Sequence, residues 1–225
     1  MTTPHAIAEQ LFRKHYAYPQ QIEITETMVW EARRYRFEQN TYWRIWKSYG
    51  VFFAFVEGFF HRQDGTNQLY KIPDEDKTIF QSPKKLRSVF DSEKDFAQYL
   101  SSYNIKRMVN QNATHILAAC DRIIDDYNGC VPQTLEELLQ FRGYGRKIAN
   151  MFLNVAFDKP RIAVDIRVFR AAVRLGLLSN NFTERSSLSD ADKLQIENSL
   201  HQIFANSFFL IEMDYLLFME GGGVK

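Results

Sequence analysis

The chain has 225 residues and a mass of 26.5 kDa, enough for one large domain or two small lobes. A hydrophobic content of 45% with 24% charged residues excludes a disordered or fibrous chain, and the net charge of +1 marks no global preference for nucleic acid or membrane. The two cysteines, Cys120 and Cys130, are too few for a disulfide framework or for a site that needs four thiolates.

In chain order, residues 1–10 lack a basic stretch followed by an apolar core, so no signal peptide is expected. Between Trp30 and Phe60 lie twelve aromatic residues, all three tryptophans among them, which predicts a heavily packed helical core. The apolar run Tyr49 to Phe60 contains Glu57 and is far shorter than the ~20 residues of a spanning helix, so it reads as core of a soluble, intracellular protein. From Asp64 to Asp76 the chain turns polar, as a loop would. Ser82-Pro83 reads as N-cap and first position of a helix, and Ser92 with Asp95 has capping-box spacing. Ile116, Leu117, Cys120, Ile123 and Ile124 form one apolar stripe, stopped by Asn128-Gly129. Thr134 and Glu137 predict a capping box for a helix ending near Phe141. Near the end, Ile196, Leu200, Ile203 and Phe204 form a further stripe, and Phe208 to Met219 reads as a buried terminal helix. No segment alternates with period two for long. The expected fold class is all-α.

The chemistry concentrates between Val131 and Leu177. Gly143-Tyr144-Gly145 separates one helix from the next, which should start at Arg146-Lys147 and run to about Phe157. The two glycines permit positive φ and leave backbone amides uncovered at a helix N-terminus, the kind of seat a phosphate needs. From Phe141 to Leu175 there are eight basic residues and two acidic ones, so this strip is +6 while the remainder of the chain sums to −5. A neutral protein with one basic strip fits phosphate-backbone binding. Lys147 is a candidate nucleophile, because the positive helix end and neighbouring Arg146 both disfavour the ammonium form. Asp165 follows the apolar run Ile162-Ala163-Val164 and reads as an N-cap; a carboxylate held that way could also stabilise a cationic sugar. Gly176 is placed to end that helix. The five histidines are scattered with no i, i+4 pair, so no metal site is expected.

This passage resembles the helix-hairpin-helix DNA glycosylase superfamily, endonuclease III-like members in particular. The resemblance rests on Gly143-Tyr144-Gly145-Arg146-Lys147-Ile148-Ala149-Asn150 and Ala163-Val164-Asp165-Ile166-Arg167-Val168, with Val131-Pro132 before and Arg174-Leu175-Gly176 after. It extends over about Ile105 to Leu178. It implies a two-lobed fold, with a helical barrel lobe over 43–157 and a second lobe of 1–42 plus 158–225, and duplex DNA lying between Lys147 and Asp165. By the resemblance, Lys147 is the catalytic lysine and Asp165 the catalytic aspartate, while Arg142, Gly143, Tyr144, Gly145, Arg146 and Arg167 contact DNA. The implied activity is that of a bifunctional DNA glycosylase and abasic-site lyase for oxidised pyrimidines, acting as a monomer on duplex DNA that carries a damaged base or abasic site. Other lesions (8-oxoguanine, mismatched thymine or uracil) and a non-catalytic hairpin module that only grips DNA are the alternative readings. The sequence departs from the family in three places. It ends without the four cysteines that hold a [4Fe-4S] cluster, so no cofactor is expected. Arg167 stands where the family often has His. The glutamine of the wedge helix is not evident, Gln63 being one guess with Glu57 nearby.

Overall fold

A computed structural model describes residues 3–39, 49–60, 69–179, 182–183 and 187–222. Gln63, Trp43 and Trp46 lie outside the described residues, and so do the last three residues of the chain. Among the described residues every regular element is helical: α1 (Pro4–Tyr16), α2 (Glu26–Gln39), α3 (Val51–Gly58), α4 (Pro83–Val89), α5 (Glu93–Ser102), α6 (Val109–Asp126), α7 (Leu135–Leu138), α8 (Arg146–Phe157), α9 (Ile166–Arg174), α10 (Asp190–Phe204) and α11 (Leu210–Gly222), with short 3-10 turns at Leu69–Lys71 and Asp76–Gln81. The chain divides into two compact units, Met1–Gln39 with Leu153–Lys225, and Asn40–Phe152. The division falls inside α8, whose last turn goes with the first unit.

Local chemistry accounts for most helix starts. Thr3, Ser82 and Ser92 accept amides of the first turn, Ala6, Lys85 and Asp95 respectively, at 3.1–3.2 Å. Thr134 accepts the Glu137 amide at 3.3 Å, but the expected reciprocal bond differs. The Thr134 hydroxyl donates to the Glu137 carboxylate at 2.6 Å, and α7 ends at Leu138 rather than near Phe141. A complete capping box stands instead at Ser189 and Asp192, at the head of α10. At the end of α6, Asn128 and Gly129 both take positive φ, and the Gly129 amide returns to the Ile123 carbonyl at 2.8 Å.

The unit built on Asn40–Phe152 has an aromatic interior. Phe52, Phe53, Phe55 and Val56 of α3 are buried, so the apolar run is core; Phe80 packs on Phe53, Phe141 and Phe152 on Phe55, and Phe96 on Phe80. The other unit packs Leu11 and Phe12 of α1, Val168 and Phe169 of α9, Leu200 and Phe204 of α10, and Met213, Leu216 and Leu217 of α11 into one core. Inside this second core sits a polar cluster. Glu212 of α11 is fully buried and receives Arg36 Nε at 2.7 Å and Nη2 at 2.9 Å, Arg33 Nη1 at 3.2 Å, and the Tyr16 hydroxyl. Arg33, 2% exposed, donates its other terminal nitrogen to the Asn154 carbonyl at 2.6 Å and to Asp158 at 3.2 Å. These bonds tie the last turn of α8 to α2 and α11, which is why α8 changes units before it ends.

Candidate active site

Two short stretches carry the residues singled out by sequence, one in each unit. The first is the turn between α7 and α8. Gly143 has φ +86°, and a Cβ there would lie 2.4 Å from Nδ1 of His115, a buried side chain of α6. Glycine is therefore required twice, by backbone conformation and by the imidazole beneath it. Gly145 differs: its φ is not in the left-handed region, and a Cβ there would meet nothing within 4 Å. Its carbonyl accepts the Ala149 amide at 3.0 Å, so it is the N-cap of α8, but it has no side chain to cap the first-turn amides. Among the described residues, neither backbone conformation nor a neighbouring atom calls for glycine at 145. A bare, exposed helix start follows, with Arg142 exposed and Arg146 and Lys147 half-buried around it.

Tyr144 points its side chain inward. Its ring is only 2% exposed, stacked on Phe55 at 4.7 Å between centroids and 5.2 Å from Phe59. Gly58 makes room for it, since a Cβ there would lie 2.7 Å from the Tyr144 hydroxyl. Burial, with Glu57 adding to it, holds this phenol well above the usual tyrosine range, so it stays protonated and serves as an anchor of the hairpin rather than as a surface contact. Glu57 itself is buried and pushed up to about 9, which makes it a neutral carboxyl near pH 7.

The contrast between the glycines is testable. Gly143→Ala should lower stability by at least the roughly 1–2 kcal/mol of a left-handed alanine, with the His115 clash added, whereas Gly145→Ala should leave the melting temperature unchanged. Burial and Arg142 lower the pKa of His115. Below the ordinary histidine value near 6.5 the unfolded chain therefore takes up a proton that the folded chain refuses, and stability falls as pH falls through that window. Denaturation between pH 7 and 5.5 should show a smaller acid-side loss in His115→Gln than in wild type.

The second stretch is Asp158–Asp165 and the head of α9. Ile162, Ala163 and Val164 are buried, and Asp165 is the N-cap of α9. Its Oδ1 accepts both the Arg167 amide at 2.8 Å and the Val168 amide at 3.0 Å, which fixes the carboxylate in direction. Gly176, at φ +66°, ends the helix as expected. The half-buried Arg167 side chain lays its guanidinium over the Phe218 ring, 4.6 Å from the centroid. Among the described residues, no group of three or more His, Cys, Asp or Glu side chains is placed to hold a metal ion, and no helix is long and apolar enough to cross a membrane.

A half-buried lysine in the first turn of a helix opened by a glycine hairpin, and an aspartate capping a later helix, are set in a helix-hairpin-helix DNA glycosylase fold. Over 97% of the chain the fold matches, with a TM-score of 0.61 and 21% identity, 86% of an endonuclease III trapped as a covalent intermediate with DNA. A thermostable thymine-DNA glycosylase matches with the same TM-score at 12% identity, over 98% of this chain and 87% of that one. By sequence, the chain is 31% identical over 141 residues to endonuclease III of Rickettsia felis, 62% of this chain and 63% of the relative. It is 33% identical over 114 residues to that of Haemophilus influenzae, 51% of this chain and 49% of the relative. The chain thus spans less than two thirds of the length of these relatives. No family model matches it. In sequence the chain is thus similar to endonuclease III, and its fold is that of the helix-hairpin-helix DNA glycosylases.

Proposed function

We propose that the chain is a bifunctional DNA glycosylase and abasic-site lyase acting on duplex DNA that carries an oxidised pyrimidine. The observation that carries the reading is Lys147 in the first turn of α8, two residues after a glycine whose Cβ side is open among the described residues. Such a start accepts a DNA phosphate on bare amides, with Arg142 and Arg146 beside it. The target nucleotide is turned out of the duplex. The Lys147 amine attacks C1′ of its sugar while the Asp165 carboxylate stabilises the oxocarbenium-like charge that develops. The base departs with the electron pair of the glycosidic bond and takes up a proton. The sugar ring opens to a Schiff base on Nζ, and loss of the C2′ proton expels the 3′ phosphate by β-elimination, nicking the strand. The Schiff base then hydrolyses, returning the free amine.

We propose that these residues hold no [4Fe-4S] cluster. The chain has two cysteines; Cys120 is buried, its thiol pushed up to about 12 by burial, and Cys130 is exposed on another segment. We therefore assign the chemistry to side chains alone, in an intracellular monomer with no membrane partner.

Borohydride should trap a covalent adduct of the protein with an abasic or thymine-glycol duplex, and Lys147→Ala should abolish it. An adduct that survives the substitution would move the nucleophile elsewhere, and a wild type that binds duplex but never traps would leave a DNA-gripping module. Single-lesion duplexes compared side by side would identify the base.

A further inference from the structure

The segment that leads into Asp165 has no regular secondary structure, yet side chains from three helices hold its main chain. Asn154 of α8 donates Nδ2 to the Arg161 carbonyl at 3.0 Å. His201 of α10 accepts the Ile162 amide on Nε2 at 3.4 Å. Asp214 of α11 accepts the Ala163 amide on Oδ1 at 2.7 Å. Residues 161, 162 and 163 are thus each fixed by a different helix, two to four positions before the carboxylate. The Asp214 bond is the short, charge-assisted one, and it takes an amide whose own residue is 4% exposed.

The same helix also meets the chain just after Asp165. A Cβ on Gly221 would lie 1.9 Å from the Arg167 carbonyl oxygen, so α11 and the head of α9 touch backbone to backbone. Asp214 and Gly221 are seven residues apart, about two turns, and lie on one face of α11. That face therefore grips the chain two residues before Asp165 and two residues after it.

We infer that Asp214 is a positioning residue for the reacting carboxylate, setting where Asp165 stands through the Ala163 amide without touching any reacting atom. The inference rests on the reading of Asp165 as the carboxylate that stabilises the sugar. Without the Asp214 oxygen the Ala163 amide is buried with no acceptor, and the peptide must turn or admit water to recover one. A displacement of an ångström at a reacting group costs about 100-fold in rate.

The test pairs an activity with a measurement that does not depend on it. Asp214→Ala should slow single-turnover borohydride trapping on an abasic duplex by about 10- to 100-fold, with duplex affinity within about twofold of wild type. Asp214→Asn keeps an oxygen in the same place and should recover the rate to within about threefold. Hydrogen exchange at the Ala163 amide should be at least about tenfold faster in Asp214→Ala than in wild type and should return to the wild-type rate in Asp214→Asn. Equal exchange in wild type and Asp214→Ala would overturn the hold. Faster exchange with an unchanged trapping rate per folded molecule would reduce it to a structural bond, and failure of Asn to rescue would assign the charge itself to catalysis. A wild type that protects Ala163 but forms no adduct would instead overturn the functional reading, leaving the hold intact with no reaction to serve.

Discussion

Asp165→Asn is expected to leave the protein as stable as wild type while lowering the rate of base excision by about 10²- to 10⁴-fold. The two halves of that expectation come from separate properties of one side chain. As N-cap, Asp165 needs only an oxygen that accepts the Arg167 and Val168 amides, and asparagine caps helices about as well as aspartate. As stabiliser of a cationic sugar it needs its negative charge, which the amide lacks. Asp165→Ala should lose both, adding about 1 kcal/mol of destabilisation to the kinetic defect. Single-turnover excision read beside thermal denaturation separates the two substitutions. An Asn variant that excises at the wild-type rate would confine Asp165 to its structural role and leave the proposed chemistry without a carboxylate.

Glu212→Ala is expected to carry the largest stability loss of any substitution considered, about 3–5 kcal/mol. Its carboxylate is wholly buried and receives two guanidinium groups, and Arg33 is 2% exposed, so truncation strands positive charge in the core. A loss of that size is comparable with the whole stability of many domains, about 5–15 kcal/mol. The unit containing α1, α2 and α9–α11 should unfold at a visibly lower denaturant concentration, and Asp165, which belongs to it, should lose its setting with it. A transition midpoint unchanged from wild type would mean that the arginines find other partners. Removing Arg33 and Glu212 together, in favour of apolar residues of similar volume, should cost less than removing Glu212 alone.

The hairpin shows how far a site can be read before its surroundings are known. Gly143 and Gly145 look alike in sequence, but only Gly143 takes a positive φ and only Gly145 is open on its Cβ side. One is glycine for the fold, and the other is free to be glycine for something that approaches from outside. Tyr144 between them is a DNA contact only by the family resemblance, and no residue near it in sequence marks where its ring goes. Its ring is drawn inward by Phe55 and admitted by Gly58, more than eighty residues earlier in the chain.

Much of the rest was legible in the sequence for one reason: its determinants are local. N-caps at Ser82, Ser92 and Asp165, the stop at Asn128-Gly129, the start of α8 at Arg146 and the end of α9 at Gly176 each depend on residues within a few positions, where spacing alone dictates which amide meets which oxygen. The amino-acid sequence by itself therefore determined the helical class, the hairpin and the two candidate reactive side chains. Only the tertiary structure decided what Tyr144, Arg167, Glu212 and Asp214 do. Their partners stand tens of residues away or more (Arg33 and Glu212 are 179 apart), and a charged or aromatic side chain carries no local mark of the distant group it will meet. Burial and pairing are properties of the packed chain, and they exist only once distant helices have been brought together.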